Sequence, residues 1–125
     1  MARTALIVGA GIGGLSAAIS LRQAGWHVRV FERATSAREL GFGLALAPNA
    51  VQALRSLGVA DAVLSKGFPA TRGELRRIDG TVIKRAELPP RDPLGGPMVM
   101  AQRQALHRAL LDAVGAQACA LASEG

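Results

Sequence analysis

The order of hydrophobic and polar residues predicts a β-α-β unit at the start of the chain. Thr4 to Val8 is a short run of apolar and β-branched residues, which is typical of a buried parallel strand. Apolar residues recur at helical spacing from Gly13 to Ala24, and Gly25 is suited to end that helix. The segment from His27 to Glu32 alternates between polar and apolar residues, which indicates a second strand.

The rest of the chain predicts further helices and a hairpin. Pro48 is suited to the start of a helix that Gly58 ends, and a short helical turn is expected over 60–65. The Asp79-Gly80 pair lies between two mixed runs, so the segment 72–88 is expected to form a β-hairpin. The segment 88–97 is expected to be a loop, and the segment 116–125 a disordered tail. Between them, an amphipathic helix is expected over 103–114, with one apolar side formed by Leu106, Ala109, Leu110 and Ala113.

The residues between the first strand and the first helix, Gly9-Ala-Gly11-Ile-Gly13-Gly14, fit the pattern G-x-G-x-x-G. In a dinucleotide-binding loop Gly9 would allow the tight turn, Gly11 would let a pyrophosphate approach the backbone, and Gly14 would let the helix pack on the strands. The helix start then offers N–H groups and the positive end of its dipole to phosphate. Glu32 follows about 20 residues later, where a carboxylate accepts hydrogen bonds from ribose hydroxyls. The expected dinucleotide site therefore contains Gly9, Gly11, Ile12, Gly13, Gly14 and Glu32.

The same apolar start allows two other interpretations. No charged residue occurs from Thr4 to Leu21, and Arg3 precedes this run, as in a secretory signal peptide or a membrane anchor. The glycines at the centre of the run argue against both, because such segments need a continuous helix. Each glycine destabilises a helix by about 1 kcal/mol relative to alanine. We therefore expect neither export nor membrane attachment, and a cytoplasmic protein.

Composition narrows the function classes further. The chain has 125 residues, enough for one domain, and its net charge of +6 allows nucleic-acid binding. However, the arginines are scattered and no aromatic residues lie between them for base stacking, so we expect no nucleic-acid partner. Cys119 is the only cysteine, which excludes an intramolecular disulfide and fits a reducing compartment. Neither His27 nor His107 has partners at metal-ligand spacing, and His107 is expected on the helix face away from Leu106 and Leu110.

Short motifs continue beyond the glycine loop over most of the chain. They are, in order, Glu32-Arg33, Gly41-Phe-Gly43-Leu44, Pro48-Asn49-Ala50, Leu57-Gly58-Val59 and the helical set Arg103, Leu106, His107 and Leu110 of the form R-x-x-L-h-x-x-L. Together with the glycine loop, these motifs resemble the flavin-dependent aromatic hydroxylases, the single-component FAD monooxygenases related to salicylate and p-hydroxybenzoate hydroxylases. The resemblance runs from about residue 3 to about residue 115.

The resemblance implies an α/β fold with a Rossmann-like FAD/NAD(P)-binding β-α-β unit, a few further helices and a hairpin, incomplete relative to the family. It implies a partial FAD-binding domain over 1–115, in which 72–88 begins the substrate-side strands. The implied cofactor is FAD, with NAD(P)H as co-substrate. The implied reaction transfers one oxygen atom of O2 to an aromatic or similar small molecule.

The resemblance also implies roles for individual residues. Glu32 would bind the adenosine ribose, and Arg33 would lie against the adenosine half. Gly43 and Leu44 would pass their backbone near the cofactor. Arg103 would reach the phosphate or ribityl region.

The later motifs of that family, a D-G and a G-D pair near the flavin, are not found in this sequence, since Asp79-Gly80 lies in the expected hairpin. We therefore expect the N-terminal, FAD-binding part of a monooxygenase, with an unpaired sheet edge and no assigned catalytic residue. Two alternatives stay open: a non-catalytic nucleotide-binding module, alone or completed by a complementary chain, and another FAD- or NAD-dependent oxidoreductase. An NADP enzyme is disfavoured, because Glu32 would repel the 2′-phosphate.

Overall fold

The computed structural model describes residues 3–34, 41–88, 98–115 and 118–121. The chain divides into two compact units, one formed by Met1–Phe42 with Gln102–Gly125 and the other by Gly43–Ala101. In chain order the elements are β1 (Thr4–Val8), α1 (Ile12–Gln23), β2 (His27–Glu32), β3 (Gly43–Leu46), α2 (Pro48–Ser56), α3 (Ala60–Leu64), β4 (Phe68–Pro69), β5 (Arg72–Arg76), β6 (Val82–Glu87), β7 (Val99–Gln102), α4 (Arg103–Val114) and β8 (Cys119–Leu121).

A parallel sheet forms the centre of the first unit. β1 pairs with β2 in a register that joins Thr4 to His27 and Val8 to Phe31, so the predicted β-α-β unit is confirmed. The strand order is β1-β2-β8, which leaves β1 at one edge of this sheet. Leu6 and Val8 on that edge strand are 66% and 90% exposed.

The third strand of this sheet corrects the expected tail. Residues 116–125 carry no hydrophobic period and were expected to be disordered, yet Cys119–Leu121 form β8. β8 pairs in parallel with β2, joining Val30 to Cys119 and Glu32 to Leu121, and the N–H of Val30 donates to the carbonyl of Ala118 at 2.7 Å. A strand of three residues is too short to show a period, and its conformation comes from the pairing partner.

Helices α1 and α4 supply many of the buried apolar side chains of the first unit, beside those of β2. Leu15, Ala18 and Ile19 of α1 are buried, as their shared helical face predicts. The buried residues of α4 are Leu106, His107, Leu110 and Val114, whereas Ala113, expected on the same side, is exposed. The guanidinium of Arg22 donates to the carbonyl of Val114 at 2.5 Å, which caps the last turn of α4.

The second unit contains a small sheet, two short helices and a hairpin. The sheet has the order β3-β7-β4, with Phe68 of β4 opposite Met100 of β7. Val51 and Val63, on α2 and α3, are fully buried. α2 begins at Pro48 as predicted, and Gly58 follows it with a φ of 76° that suits glycine.

The predicted hairpin is confirmed at β5 and β6, which pair antiparallel. Gly80 has a φ of 89°, and the Oδ1 of Asp79 accepts the N–H of Thr81 at 2.9 Å, so each residue of the pair has a role in the turn. Of the loop predicted over 88–97, residues 89–97 lie outside the described residues. In the part of the chain that the structure describes, no helix is long and apolar enough to cross a membrane.

The packing of α4 can be tested with a buried and an exposed leucine of the same unit. Leu110 has 0% of its surface exposed, and Leu6 has 66%. We expect Leu110→Ala to lower the free energy of unfolding by about 2–5 kcal/mol, because it removes buried methyl groups and leaves a cavity. Leu6→Ala should lower it by less than about 1 kcal/mol. Urea unfolding followed by circular dichroism measures both, and equal losses would contradict the burial of α4.

Candidate functional site

A sharp connection joins β1 to α1 at the glycine loop, residues 9–14. β1 ends at Val8 and α1 begins at Ile12, so three residues reverse the chain direction. Gly9 has a φ of 105°, a conformation that residues with a Cβ rarely adopt. Its N–H donates to the carbonyl of Phe31 at 2.7 Å, which ties the start of the loop to β2.

The first turn of α1 presents backbone donors. Gly11 is the N-cap, and the first helical bond runs from the N–H of Leu15 to the carbonyl of Gly11 at 3.0 Å. The N–H groups of Ile12, Gly13 and Gly14 precede that bond and have no acceptor within the helix. No side chain of the described residues caps this end, and the first turn contains no acidic residue. Together with the positive end of the helix dipole, this arrangement suits a phosphate group.

Two glycines of the loop differ in what surrounds them. A Cβ on Gly14 would lie 2.0 Å from the carbonyl oxygen of Gly9 and 3.4 Å from Cγ2 of Ile7. Gly14 therefore lets the helix lie directly over the loop and the end of β1. A Cβ on Gly11 would meet nothing within 4 Å, so the space in front of Gly11 is open. An atom group that approaches the backbone there meets no side chain of the loop.

Glu32 ends β2 beside the loop. Its Oε2 accepts the N–H of Ala10 at 2.8 Å, and its Oε1 accepts the N–H of Ala34 at 3.1 Å. These two hydrogen bonds hold the pKa of this carboxyl below its ordinary value, and the bond from Ala10 has the larger effect. Glu32 is therefore ionised at neutral pH. Because each carboxylate oxygen can accept a second hydrogen bond, Glu32 can also accept from a ribose hydroxyl.

The remaining expected cofactor residues are placed in both units. Arg33 follows Glu32 and is exposed. Arg103 opens α4, and its backbone N–H donates to the carbonyl of Phe42 at 2.9 Å. Gly43 and Leu44 are the first residues of β3 and belong to the second unit. The structure therefore brings Glu32 together with the glycine loop by direct contact, and it gives Arg103 a fixed position on a helix of the same unit.

His107 was expected to face away from the apolar side of α4, and this expectation is wrong. His107 is 4% exposed, and its Nε2 lies 2.6 Å from the carbonyl oxygen of Ala10. Burial of the imidazole is tolerated because this ring nitrogen has a hydrogen-bond partner. The spacing itself carries the signal, since His107 and Leu110 are three residues apart and share one helix face.

Comparison with known proteins identifies the family. A model of the family described as FAD binding domain matches residues 2–122. The chain belongs to this family. The match includes the glycine loop, Glu32 and all of α4, so the elements of the first unit lie within it.

Similar curated proteins are FAD-dependent hydroxylases and monooxygenases. The chain is 39% identical over 118 residues to a 3-amino-4-hydroxybenzoate 2-monooxygenase of Streptomyces cremeus, covering 92% of this chain and 30% of the relative. It is 38% identical over 109 residues to an FAD-dependent urate hydroxylase of Klebsiella oxytoca, covering 82% of this chain and 28% of the relative. The chain therefore spans less than a third of the length of these relatives.

Solved structures agree with the fold and with the cofactor. The tetrameric form of 2-methyl-3-hydroxypyridine-5-carboxylic acid oxygenase superposes with a TM-score of 0.82 at 30% identity, covering 97% of this chain and 31% of that protein. Klebsiella pneumoniae HpxO complexed with FAD and uric acid gives a TM-score of 0.84 at 30% identity, covering 95% of this chain and 30% of that protein. The family resemblance and the predicted α/β fold are confirmed, and FAD is the cofactor of this family.

The packing role of Gly14 is testable against Gly13, its neighbour on α1. A Cβ on Gly14 would meet the backbone of Gly9 at 2.0 Å, whereas one on Gly13 would meet nothing within 4 Å. We expect Gly14→Ala to lower the free energy of unfolding by about 1–3 kcal/mol, because the helix must shift away from the loop. Gly13→Ala should raise it by about 0.5–1 kcal/mol, because alanine is the better helix former. Urea unfolding measures both, and a neutral Gly14→Ala would contradict the close packing.

The hydrogen bonds of Glu32 predict a pH dependence of stability. Its folded pKa lies below the ordinary value of 4.5, so its contribution is present above about pH 4.5 and is lost as pH falls through the folded pKa. The wild-type chain should therefore lose stability below about pH 4.5, and Glu32→Gln should lose less over the same range. The control Glu87→Gln changes an exposed carboxyl on β6 and should keep the wild-type slope. Urea unfolding at a series of pH values measures these slopes, and identical slopes for all three chains would contradict the bonding of Glu32.

Proposed function

We propose that this chain forms the adenosine-diphosphate-binding part of an FAD-dependent monooxygenase, which uses NAD(P)H and O2 to hydroxylate an aromatic or similar small molecule. The observation that carries the proposal is the glycine loop with Glu32 bonded to it. The Ala10 N–H to Glu32 Oε2 distance is 2.8 Å, and the open space at Gly11 lies on the same loop. The relatives add support, since their names describe hydroxylases and monooxygenases.

In this proposal the pyrophosphate of FAD lies at the start of α1. The N–H groups of Ile12, Gly13 and Gly14 donate to phosphate oxygens, and the helix dipole favours the negative charge. Gly11 leaves room for the phosphate because it has no side chain. Gly9 forms the tight turn that directs the start of α1 toward the ligand.

The adenosine ribose and the cationic residues complete the proposed site. The ionised Glu32 accepts hydrogen bonds from the ribose hydroxyls while it keeps its bonds to the loop. Arg33 lies along the adenosine half, and Arg103 provides positive charge for the phosphate or ribityl region.

The chemistry of the reaction belongs to the cofactor, and the chain binds and orients it. Bound FAD would supply the redox chemistry that couples oxidation of NAD(P)H to the transfer of one oxygen atom of O2. The residues of the glycine loop hold the pyrophosphate, and Glu32 fixes the rotation of the ribose. We assign no acid or base among the described residues.

The carboxylate of Glu32 also supports a choice between adenosine cofactors. A 2′-phosphate on the adenosine ribose would bring negative charge beside an ionised carboxylate, and the two groups would repel each other. The adenosine ribose of FAD carries free hydroxyls, which can donate hydrogen bonds to the carboxylate of Glu32. NADP is therefore disfavoured as a ligand of this loop.

The names of the relatives support a substrate class. They act on 3-amino-4-hydroxybenzoate, 3-hydroxybenzoate and urate, which are small planar rings that carry oxygen substituents. We propose a substrate of the same class, a small aromatic or heteroaromatic ring.

FAD binding can be tested with two glycine-to-valine substitutions. Gly11 has an extended backbone with φ −78° and ψ −179°, which valine adopts readily, and its Cβ would meet no atom within 4 Å. Gly11→Val should therefore fold normally but weaken FAD binding by at least about tenfold, because its side chain fills the space for the pyrophosphate. The control Gly73→Val adds the same side chain to β5, also in open space, and should leave FAD affinity unchanged.

The measurement is a titration of each folded chain with FAD and with NAD, followed by calorimetry or flavin fluorescence. A wild-type chain that binds NAD in place of FAD would favour a nicotinamide-dependent oxidoreductase. Unchanged FAD affinity in Gly11→Val would contradict the assignment of the loop.

A further inference from the structure

A buried histidine contacts the glycine loop from outside it. His107 lies on α4, is 4% exposed, and its Nε2 is 2.6 Å from the carbonyl oxygen of Ala10. A carbonyl oxygen can only accept, so at this distance Nε2 carries the proton and donates it. The two residues are separated by 97 positions in the chain, so this bond fastens α4 to the loop.

Ala10 is held on both sides of its Cα. Its N–H donates to Oε2 of Glu32 at 2.8 Å, and its carbonyl accepts from His107 at 2.6 Å. The N–H belongs to the peptide plane that joins Gly9 to Ala10, and the carbonyl belongs to the plane that joins Ala10 to Gly11. Glu32 and His107 therefore fix two successive peptide planes of the loop.

The second of these planes matters for a phosphate ligand. In a trans peptide the N–H and the carbonyl oxygen lie on opposite sides, and the described residues contain no cis peptide. By holding the carbonyl of Ala10, His107 directs the N–H of Gly11, which lies in the same plane, in the opposite direction across the C–N bond. Without a fixed partner this plane would rotate more easily, because Gly11 on its C-terminal side has no Cβ and places little steric restriction on the rotation.

The same bond fixes the position of Arg103. Arg103 lies one turn before His107 on α4, a rise of about 6 Å along the helix axis. The bond from His107 to Ala10 therefore also restrains the first turn of α4, which carries Arg103, relative to the loop. His107 thus connects the loop, which presents the backbone donors, to the helix that carries Arg103, a proposed FAD-binding residue.

We propose that His107 is a positioning residue of the FAD site, which donates its Nε2 proton to Ala10 and so orients the Ala10–Gly11 peptide for the pyrophosphate. The proposal rests on the proposed function for its ligand, but the orientation of the peptide exists without any ligand. His107 touches the loop and acts on the cofactor only through it.

Two variants of His107 and one of His27 test the proposal. His107→Leu fills the buried space but removes the donor. His107→Gln keeps an N–H donor near the position of Nε2. His27→Leu removes the other histidine, which is exposed at the start of β2, and serves as the control.

The first measurement is FAD affinity by calorimetry on chains shown to be folded by circular dichroism. We expect His107→Leu to bind FAD about tenfold more weakly, because the Ala10 carbonyl loses its donor and the loop its orientation. His107→Gln should recover most of the affinity, and His27→Leu should match the wild type. Full affinity in folded His107→Leu would overturn the proposal and leave His107 a packing residue.

The second measurement needs no cofactor. Nitrogen-15 NMR of the histidine ring should find Nε2 of His107 protonated, and nitrogen-15 relaxation should find the Gly11 amide, which lies in the Ala10–Gly11 plane, more mobile in His107→Leu, with Val30 in β2 unchanged. An unprotonated Nε2, or equal mobility of the Gly11 amide in both chains, would overturn the proposal. If the wild-type chain binds no FAD but the NMR results hold, the proposed function fails while the fixed peptide stands.

Discussion

The close approach of α1 to the end of β1 is the constraint on which the first unit depends. A Cβ on Gly14 would lie 2.0 Å from the carbonyl oxygen of Gly9, so this approach requires glycine at position 14. It also requires the left-handed backbone of Gly9, which reverses the chain within three residues. Because the turn is so tight, the free N–H groups of the helix start lie directly beyond the strand end, beside Glu32 on the neighbouring strand.

This geometry explains why an uncharged loop can hold a charged ligand. Side-chain cations would have to be placed and desolvated, whereas the N–H groups and dipole of α1 are fixed by the helix itself. Glu32 on the neighbouring strand adds a negative charge that contacts the loop through its hydrogen bond to Ala10, and in the proposed site this carboxylate faces the ribose. The arrangement therefore separates a donor region for phosphate from an acceptor region for hydroxyls.

Local patterns predicted the elements whose residues determine their own conformation. β1, β2 and α4 were predicted with the observed bounds, since β1 is an apolar run that ends at a glycine, β2 alternates and α4 has a helical period that ends at Gly115. β8 could not be predicted, because three residues show no period and their conformation depends on β2. The glycine motif predicted the tight turn between β1 and α1, but nothing in the sequence places His107 beside Ala10, 97 residues away. The cofactor contacts of Arg33, Gly43, Leu44 and Arg103 stay predictions from the family resemblance.

A site made from backbone groups depends on its supports more than on its own side chains. The donors at the start of α1 persist through most substitutions, so binding depends on the orientation of peptide planes and on missing Cβ atoms. Those orientations come from Glu32 on β2 and His107 on α4, which contact the loop through Ala10. Changes that loosen either element should therefore alter both stability and affinity. Gly11 is the exception: a side chain there projects into open space, so in the proposed site a substitution should change affinity without changing stability.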